Sequence, residues 1–263
     1  MSLLMLGRVP YSFSALRRAL FGRGEQGAWY DPSDLSTLFQ DSAGTTPVTA
    51  VGQPVGRMLD KSGRGNHATQ STAASRPTLQ IDANGRYYLA CDGTDDGMVT
   101  ASIDFTGTDK MTVVCGVRKL SDAAIGVICE MSANSAINSG VFGLIAPPSS
   151  GAASYYLRST GTTARDATSP TSYPAPITNV IAGIGDIGGD SVAMRINGTQ
   201  VASSSLDQGT GNYGNYPLYL FRRGGTTLPA NINFYGLIIR GAATSARDLG
   251  YMEKFMNSRT GAY

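Results

Sequence analysis

The sequence predicts an all-β fold, an antiparallel sandwich or barrel of short strands with a short C-terminal helix. Three observations carry this. The 263 residues hold 16 Asp and 17 Arg but only 3 Glu and 4 Lys, while 33 Gly and 12 Pro favour turns over long helices. Apolar residues alternate with polar ones along several runs, the period of a half-buried strand. Asn197-Gly198 stands between two such runs and supplies the two positive-φ residues of a type I′ hairpin turn. A single unit of this length buries roughly 70–75% of the surface its unfolded chain exposes, so the core needs no staples.

Taken in order, residues 1–28 mix apolar residues with arginine. Ser14 to Phe21 can form a short amphipathic helix with Leu16 and Leu20 one turn apart, too short to stand alone. It either docks on its own domain or a partner, or remains a loose terminus. Residues 29–100 are rich in turns, with a short strand from Arg86 to Cys91. Met111, Val113, Cys115 and Val117 then alternate with polar or small residues, and Ile125, Val127, Cys129 and Met131 repeat the pattern with Glu130 facing the other way. In the hairpin, a two-residue loop pairs Ile196 with Thr199 and Met194 with Val201. Further strands are expected at 140–145, 153–158, 177–184, 217–222 and 233–240. Ser245 with Asp248 resembles a capping box, Leu249, Met252 and Met256 share one helical face, and Gly261 can end the helix.

Composition excludes several classes. No run approaches the ~20 apolar residues of a membrane span. A net charge of +2 gives no general footprint for nucleic acid. Arg8, Arg17, Arg18 and Arg23 precede any acid, but the apolar stretch Leu3 to Leu6 comes before them and is short, the reverse of a secretory signal. Cys91, Cys115 and Cys129 lie in apolar strand-like runs and read as buried thiols in preference to a disulfide or metal set.

The chemistry on offer is narrow. His67 is the one histidine, so multi-histidine zinc sites are excluded, and it lies in a Gly-rich turn with no nucleophile elbow nearby. It reads as a loop residue that bonds locally. The three glutamates (Glu25, Glu130 and Glu253) are scattered, and no Glu-x-Asp-x-x-Glu strand of the sandwich-glucanase type exists. Asp92, Asp95 and Asp96 read as Asx-turn residues, with a calcium ion as the second reading. Asn197-Gly198-Thr199 matches a glycosylation sequon that the turn already explains. What remains is a binding surface. There are 13 Tyr against one Trp, and many sit beside Asn, Gly or Arg. Tyrosine can cover the apolar face of a sugar ring while Asn amides and Arg forks take hydroxyls or a carboxylate. The candidate ligand-binding residues are Tyr155, Tyr156, Arg158, Asn212, Tyr213, Asn215, Tyr216 and Arg222. Tyr213 and Tyr216 are expected to be exposed in a loop. Tyr87, Tyr88, Tyr219 and Tyr235 are expected to fill the core with hydroxyls at its edge.

Four segments, Trp29-Tyr30-Asp31-Pro32-Ser33-Asp34, Asp60 through Gln70, Arg76-Pro77-Thr78 and Asp92-Gly93-Thr94-Asp95-Asp96, follow one another as in the entry of concanavalin A-like lectin/glucanase (laminin-G-like) domains of bacteriophage tail fibres. Phe234 through Ile239 and Ser245 through Gly261 resemble the closing strand and helix of those domains. The resemblance implies a jelly-roll sandwich over 29–263 and host-surface recognition by a virion tail-fibre protein made in the host cytoplasm. It also implies attachment to other tail proteins, or oligomerisation, through residues 1–28. Without an acidic strand motif or an assignable ion-ligand set, neither catalysis, nor a metal, nor any cofactor is expected. The expected partner is a bacterial surface glycan, capsule or lipopolysaccharide, bound without catalysis, without nucleic acid and without membrane insertion. A depolymerase and a purely structural tail subunit are the alternatives, and homo-oligomerisation stays open.

Overall fold

The computed structural model describes residues 12–263. The apolar stretch Leu3 to Leu6 and Arg8 lie outside the described residues. The chain runs through α1 (Phe13–Phe21), β1 (Gly27–Tyr30), β2 (Leu38–Phe39), β3 (Arg57–Met58), β4 (Ala68–Thr69), β5 (Thr78–Ile81), β6 (Tyr87–Asp92), β7 (Met98–Asp104) and β8 (Lys110–Lys119). It continues through β9 (Val127–Met131), β10 (Val141–Ile145), β11 (Tyr156–Thr160), β12 (Ala164–Thr168), β13 (Ile177–Asp186), β14 (Ser191–Ile196), β15 (Thr199–Ser204), β16 (Asn215–Leu220) and β17 (Asn231–Arg240) to α2 (Ala246–Thr260).

These strands form two sheets. One has the order β15-β14-β13-β8-β17-β6-β5, with β1 joined to β17; the other runs β12-β11-β10-β9-β16-β7-β4-β3-β2. Every strand pairing is antiparallel. The result is the expected jelly-roll sandwich. Alternation does what the sequence requires of it: Met111, Val113, Cys115 and Val117 point inward to meet Phe142, Leu144, Leu218 and Leu220 of the other sheet. All three cysteines are free and buried. Burial raises each thiol, that of Cys129 to about 12.

The sheets approach closely because β13 presents glycine inward. A Cβ on Gly183 would lie 2.5 Å from Leu157 Cδ1, and one on Gly185 would lie 2.8 Å from Ser159 Oγ and overlap the Tyr213 hydroxyl. The hairpin forms on Asn197 (φ 51°) and Gly198 (φ 79°), and Ile196 pairs with Thr199 as expected. Met194, however, pairs with Ala202. A bulge between Met194 and Arg195 shifts the expected partner Val201 by one place, a register change that turn length alone does not announce.

Both helices cover the outer face of the first sheet. Leu16, Leu20 and Phe21 of α1 pack with Trp29, Val114, Val180, Ala182, Ile238, Met252 and Met256 in a second apolar cluster. The Trp29 ring lies 4.6 Å from that of Phe13 and 4.9 Å from that of Phe255. Helix α2 begins as read from sequence, with the Ser245 hydroxyl accepting from Asp248 N at 3.1 Å, and ends on left-handed Gly261. Residues 12–28 share in this packing, and the boundary drawn at residue 28 falls inside β1.

Candidate functional site

Strand register sets a row of positions on the outer face of the sheet that carries no helix: Asp166, Arg158, Gly143, Glu130, Tyr219, Val99, Thr69 and Arg57. Their strand neighbours Leu157, Ala167, Leu144, Cys129, Leu218 and Leu220 are drawn into the core, so the pleat turns this set outward.

At one end of the row the side chains are organised before any ligand arrives. Arg158 Nε and Nη2 donate to the two carboxylate oxygens of Asp166 at 2.8 and 3.1 Å, and Nη2 also donates to the Tyr156 hydroxyl. The guanidinium lies 5.4 Å from the Tyr156 ring centroid. The hydrogen bond to Asp166 raises the Arg158 pKa, and burial followed by Asp166 raises that of the Tyr156 phenol, which stays protonated. Arg158 Nη1 makes no hydrogen bond among the described residues. The cluster therefore offers two free N–H groups, unshared carboxylate lone pairs and a ring in one fixed arrangement.

Toward the middle of the row, Glu130 is fully buried. Its two oxygens accept from Arg223 Nε at 3.1 and 3.0 Å, and Oε1 also accepts from Ser135 N. This ties the 132–140 loop down over the sheet. The absent side chain at Gly143 makes room for it, since a Cβ there would lie 3.2 Å from Ser135 Oγ. The other two glutamates are equally engaged, Glu253 with Arg195 at 2.7 Å and Glu25 with Arg240 at 2.8 Å.

Of the eight candidate residues, Tyr156 and Arg158 are brought together on this face. Two are corrected. Tyr155 is buried between the sheets, its hydroxyl accepting from Asn179 Nδ2 at 3.0 Å. Tyr213, expected in an exposed loop, is buried with its hydroxyl 2.7 Å from Ser159 Oγ, because the inward glycine of β13 leaves a slot for it. Tyr216 is also not in a loop but in β16; it is half-buried, lies against Gly214 and donates to Ser139 O at 3.2 Å. Asn215 opens the same strand and is exposed, and Asn212 donates to Thr106 O at 2.6 Å. Arg222 is held by the 93–97 turn: it donates to Asp95 O, and its Cδ would stand 2.6 Å from a Cβ on Gly97.

Two residues of the face were not placed there from sequence. Asp166 lies in Ala164-Arg165-Asp166-Ala167-Thr168, which carries no apolar alternation to mark a strand. Tyr219 was placed in the core but faces outward opposite Glu130, because Leu218 and Leu220 take the inward positions. Tyr88 is likewise corrected: it is half-buried and packs on Tyr235, 5.4 Å away, outside both apolar clusters, whereas Tyr235 is buried as expected.

The motifs behind the sequence resemblance are structural fastenings. Asp60 Oδ1 accepts from Trp29 N and Ser62 N, each at 2.8 Å, and His67 Nδ1 accepts from Asp60 N at 3.0 Å. Burial, then the charge of Arg57, lowers the His67 pKa and keeps that acceptor neutral. Asp31 joins Lys61 at 3.4 Å and Arg259 of α2 at 3.1 Å. The Asp92, Asp95 and Asp96 ligand atoms lie within 4.8 Å of one another. Asp92 forms the expected Asx turn, accepting from Thr94 N at 2.7 Å, while Asp96 Oδ2 accepts from Asp92 N at 3.0 Å and Asp95 Oδ2 from Ser75 Oγ at 2.8 Å.

No family model and no curated protein sequence matches the chain. Solved structures do match. One, on botulinum neurotoxin type C cell entry through interaction with two ganglioside molecules, superposes with a TM-score of 0.60 at 9% identity, over 93% of this chain and 53% of that one. The binding domain of botulinum neurotoxin DC in complex with SialylT gives 0.55 at 11%, over 76% and 48%. The binding domain of Paraclostridial Mosquitocidal Protein 1 gives 0.55 at 14%, over 79% and 51%. This chain spans about half the length of each of those chains. At such identities the likeness establishes one thing, a shared jelly-roll β-sandwich.

Proposed function

We propose that the protein is a non-catalytic glycan-binding module of a phage tail fibre, recognising capsule or lipopolysaccharide on a bacterial surface. The observation that carries this reading is the preorganised Tyr156–Arg158–Asp166 cluster on the sheet that carries no helix. It can meet sugar hydroxyls with both donors and acceptors at little ordering cost. Binding domains of the same fold, one in complex with SialylT and one from a toxin that interacts with gangliosides, support a glycan as the ligand class. Residues 1–28 are the segment proposed to join other tail proteins or further copies, with Arg17 and Arg18 exposed on α1. Several copies on one virion would make weak single-site binding sufficient.

One observation favours a hydrolase as the second reading. Burial, then the charges of Asp92 and Asp95, raises Asp96 to about 6, in the range of a general acid. Against it, the partner carboxylates are occupied in their own turn, and all three glutamates are ion-paired.

The test is adhesion of the purified protein to susceptible cells, with soluble capsule or lipopolysaccharide as competitor. The double substitution Tyr156→Ala/Asp166→Asn is expected to weaken adhesion about tenfold or more with an unchanged melting temperature. Undiminished adhesion would remove this face from the assignment. New reducing ends after incubation with the polysaccharide would replace it with the hydrolase.

A further inference from the structure

The helix-covered sheet is left bare at one end. Helix α2 packs over β8, β13 and β17 and stops at Gly261, beyond which the row Thr178–Arg118–Asn233 is uncovered. Register places Arg118 directly between Thr178 on β13 and Asn233 on β17. A bulge between Phe234 and Gly236 takes Tyr235 out of the alternation, and its ring meets Tyr88 at 46°. Arg86, held near the helix end where a Cβ on Gly261 would overlap it, closes the far wall. Asp82, Arg86, Arg118, Thr178, Asn233 and the edge of the otherwise buried Tyr235 line an open groove of about 370 Å³, of the size that small-molecule sites occupy.

The state of its polar groups sets this groove apart. The other described strand arginines are all committed: Arg57 to Ala43 O, Arg158 to Asp166, Arg165 to Ala164 O, Arg195 to Glu253 and Arg240 to Glu25. Among the described residues, Arg118 alone of the strand arginines makes no hydrogen bond or ion pair, and the Asn233 amide, the Thr178 hydroxyl and the Tyr235 hydroxyl are unpartnered beside it. Arg86 is balanced by Asp82 at 3.6 Å, so the groove keeps one uncompensated positive charge.

We infer that this groove binds the carboxylate-bearing unit of an acidic saccharide, independently of the cluster on the opposite sheet. The Arg118 fork matches a carboxylate. Asn233 and Thr178 sit on neighbouring strands about 5 Å to either side, the spread of hydroxyls around a pyranose ring. Tyr235, buried except at its edge and backed by Tyr88, brings its hydroxyl to the rim. A phosphate dianion would meet a single free charge here, whereas a uronic-type carboxylate is balanced by it.

The experiment is an amide and guanidinium NMR titration of the full ¹⁵N-labelled chain with methyl β-D-glucuronide. Methyl β-D-glucoside, sodium acetate and inorganic phosphate serve as the other arms. The glucuronide is expected to shift Arg118, Thr178, Asn233 and Tyr235. The glucoside should bind about tenfold more weakly or worse, and neither small anion should shift Thr178, Asn233 and Tyr235 together. Arg118→Gln should abolish the glucuronide response, Asn233→Ala should weaken it about three- to tenfold, and Arg158→Gln should leave it unchanged. Asn233→Ala serves as the deciding variant if Arg118→Gln does not fold. Equal response to glucuronide and glucoside, an acetate or phosphate response matching that of the glucuronide, or full binding by Arg118→Gln or Asn233→Ala would overturn the inference.

Discussion

Tyr213 shows how one side chain can be misjudged from its neighbours. Asn212, Gly214 and Asn215 give it the setting of an exposed loop, yet its ring spans the gap between the sheets to reach Ser159. Burial drives its phenol pKa well up, so the hydroxyl is a permanent donor or acceptor inside the sandwich. Tyr213→Phe should cost about 1–2 kcal/mol by stranding Ser159 Oγ, and Tyr213→Ala about 3–5 kcal/mol by opening a cavity, both read from urea unfolding. At Asp96 the consequence is a pH dependence. Its folded value of about 6 lies above the ordinary 3.8, so the folded chain binds the proton more tightly than the unfolded one. Its contribution to stability is fully present below about pH 4 and is lost as pH rises through about 6. Unfolding of the wild type compared with Asp96→Asn between pH 4 and 7 should therefore show a difference in stability that shifts against the wild type as pH rises, by an amount of order 2 kcal/mol. Asp96→Asn should stabilise the protein at pH 7.

Among the elements, β13 carries the clearest constraint. Its Ile181-Ala182-Gly183-Ile184-Gly185 run alternates as a strand should, and its inward positions decide how near the other sheet can come. Gly185→Ala should destabilise by about 1–3 kcal/mol, because the added methyl meets Ser159 and the Tyr213 hydroxyl in a packed interior; the denaturation midpoint will show it. Strands with apolar alternation and both helix caps were legible in the sequence, since period and capping are local properties. Strand β12 was not, because Arg165 and Asp166 gain their places only by pairing with β11. The bulges at Met194/Arg195 and Phe234/Gly236 were not legible either. Both move side chains between faces, and it is the second that turns Tyr235 into the groove beside Arg118.

Over the whole molecule, the N-terminal residues belong to the packing as much as the strands do. Glu25 binds Arg240, β1 extends the sheet along β17, and α1 covers Trp29 against α2. Deletion of residues 1–28 should lower the melting temperature and raise binding of a hydrophobic dye, because Trp29, Ile238 and Met252 lose their cover. A role for this segment in attachment is therefore better tested by Arg17→Ala/Arg18→Ala, which leaves Leu16, Leu20 and Phe21 in place. By itself the sequence determined the fold class, the inward set of β8, the turn at Asn197-Gly198, the burial of the cysteines and the helix that closes the chain. Each of these follows from periods and caps spanning a few residues. Which tyrosines face solvent, which acids are spent in ion pairs and which strand arginine is left free were decided only by the tertiary structure. Those outcomes depend on register and on partners far away in the chain, such as Arg223 for Glu130 and Ser159 for Tyr213, and no local pattern encodes them.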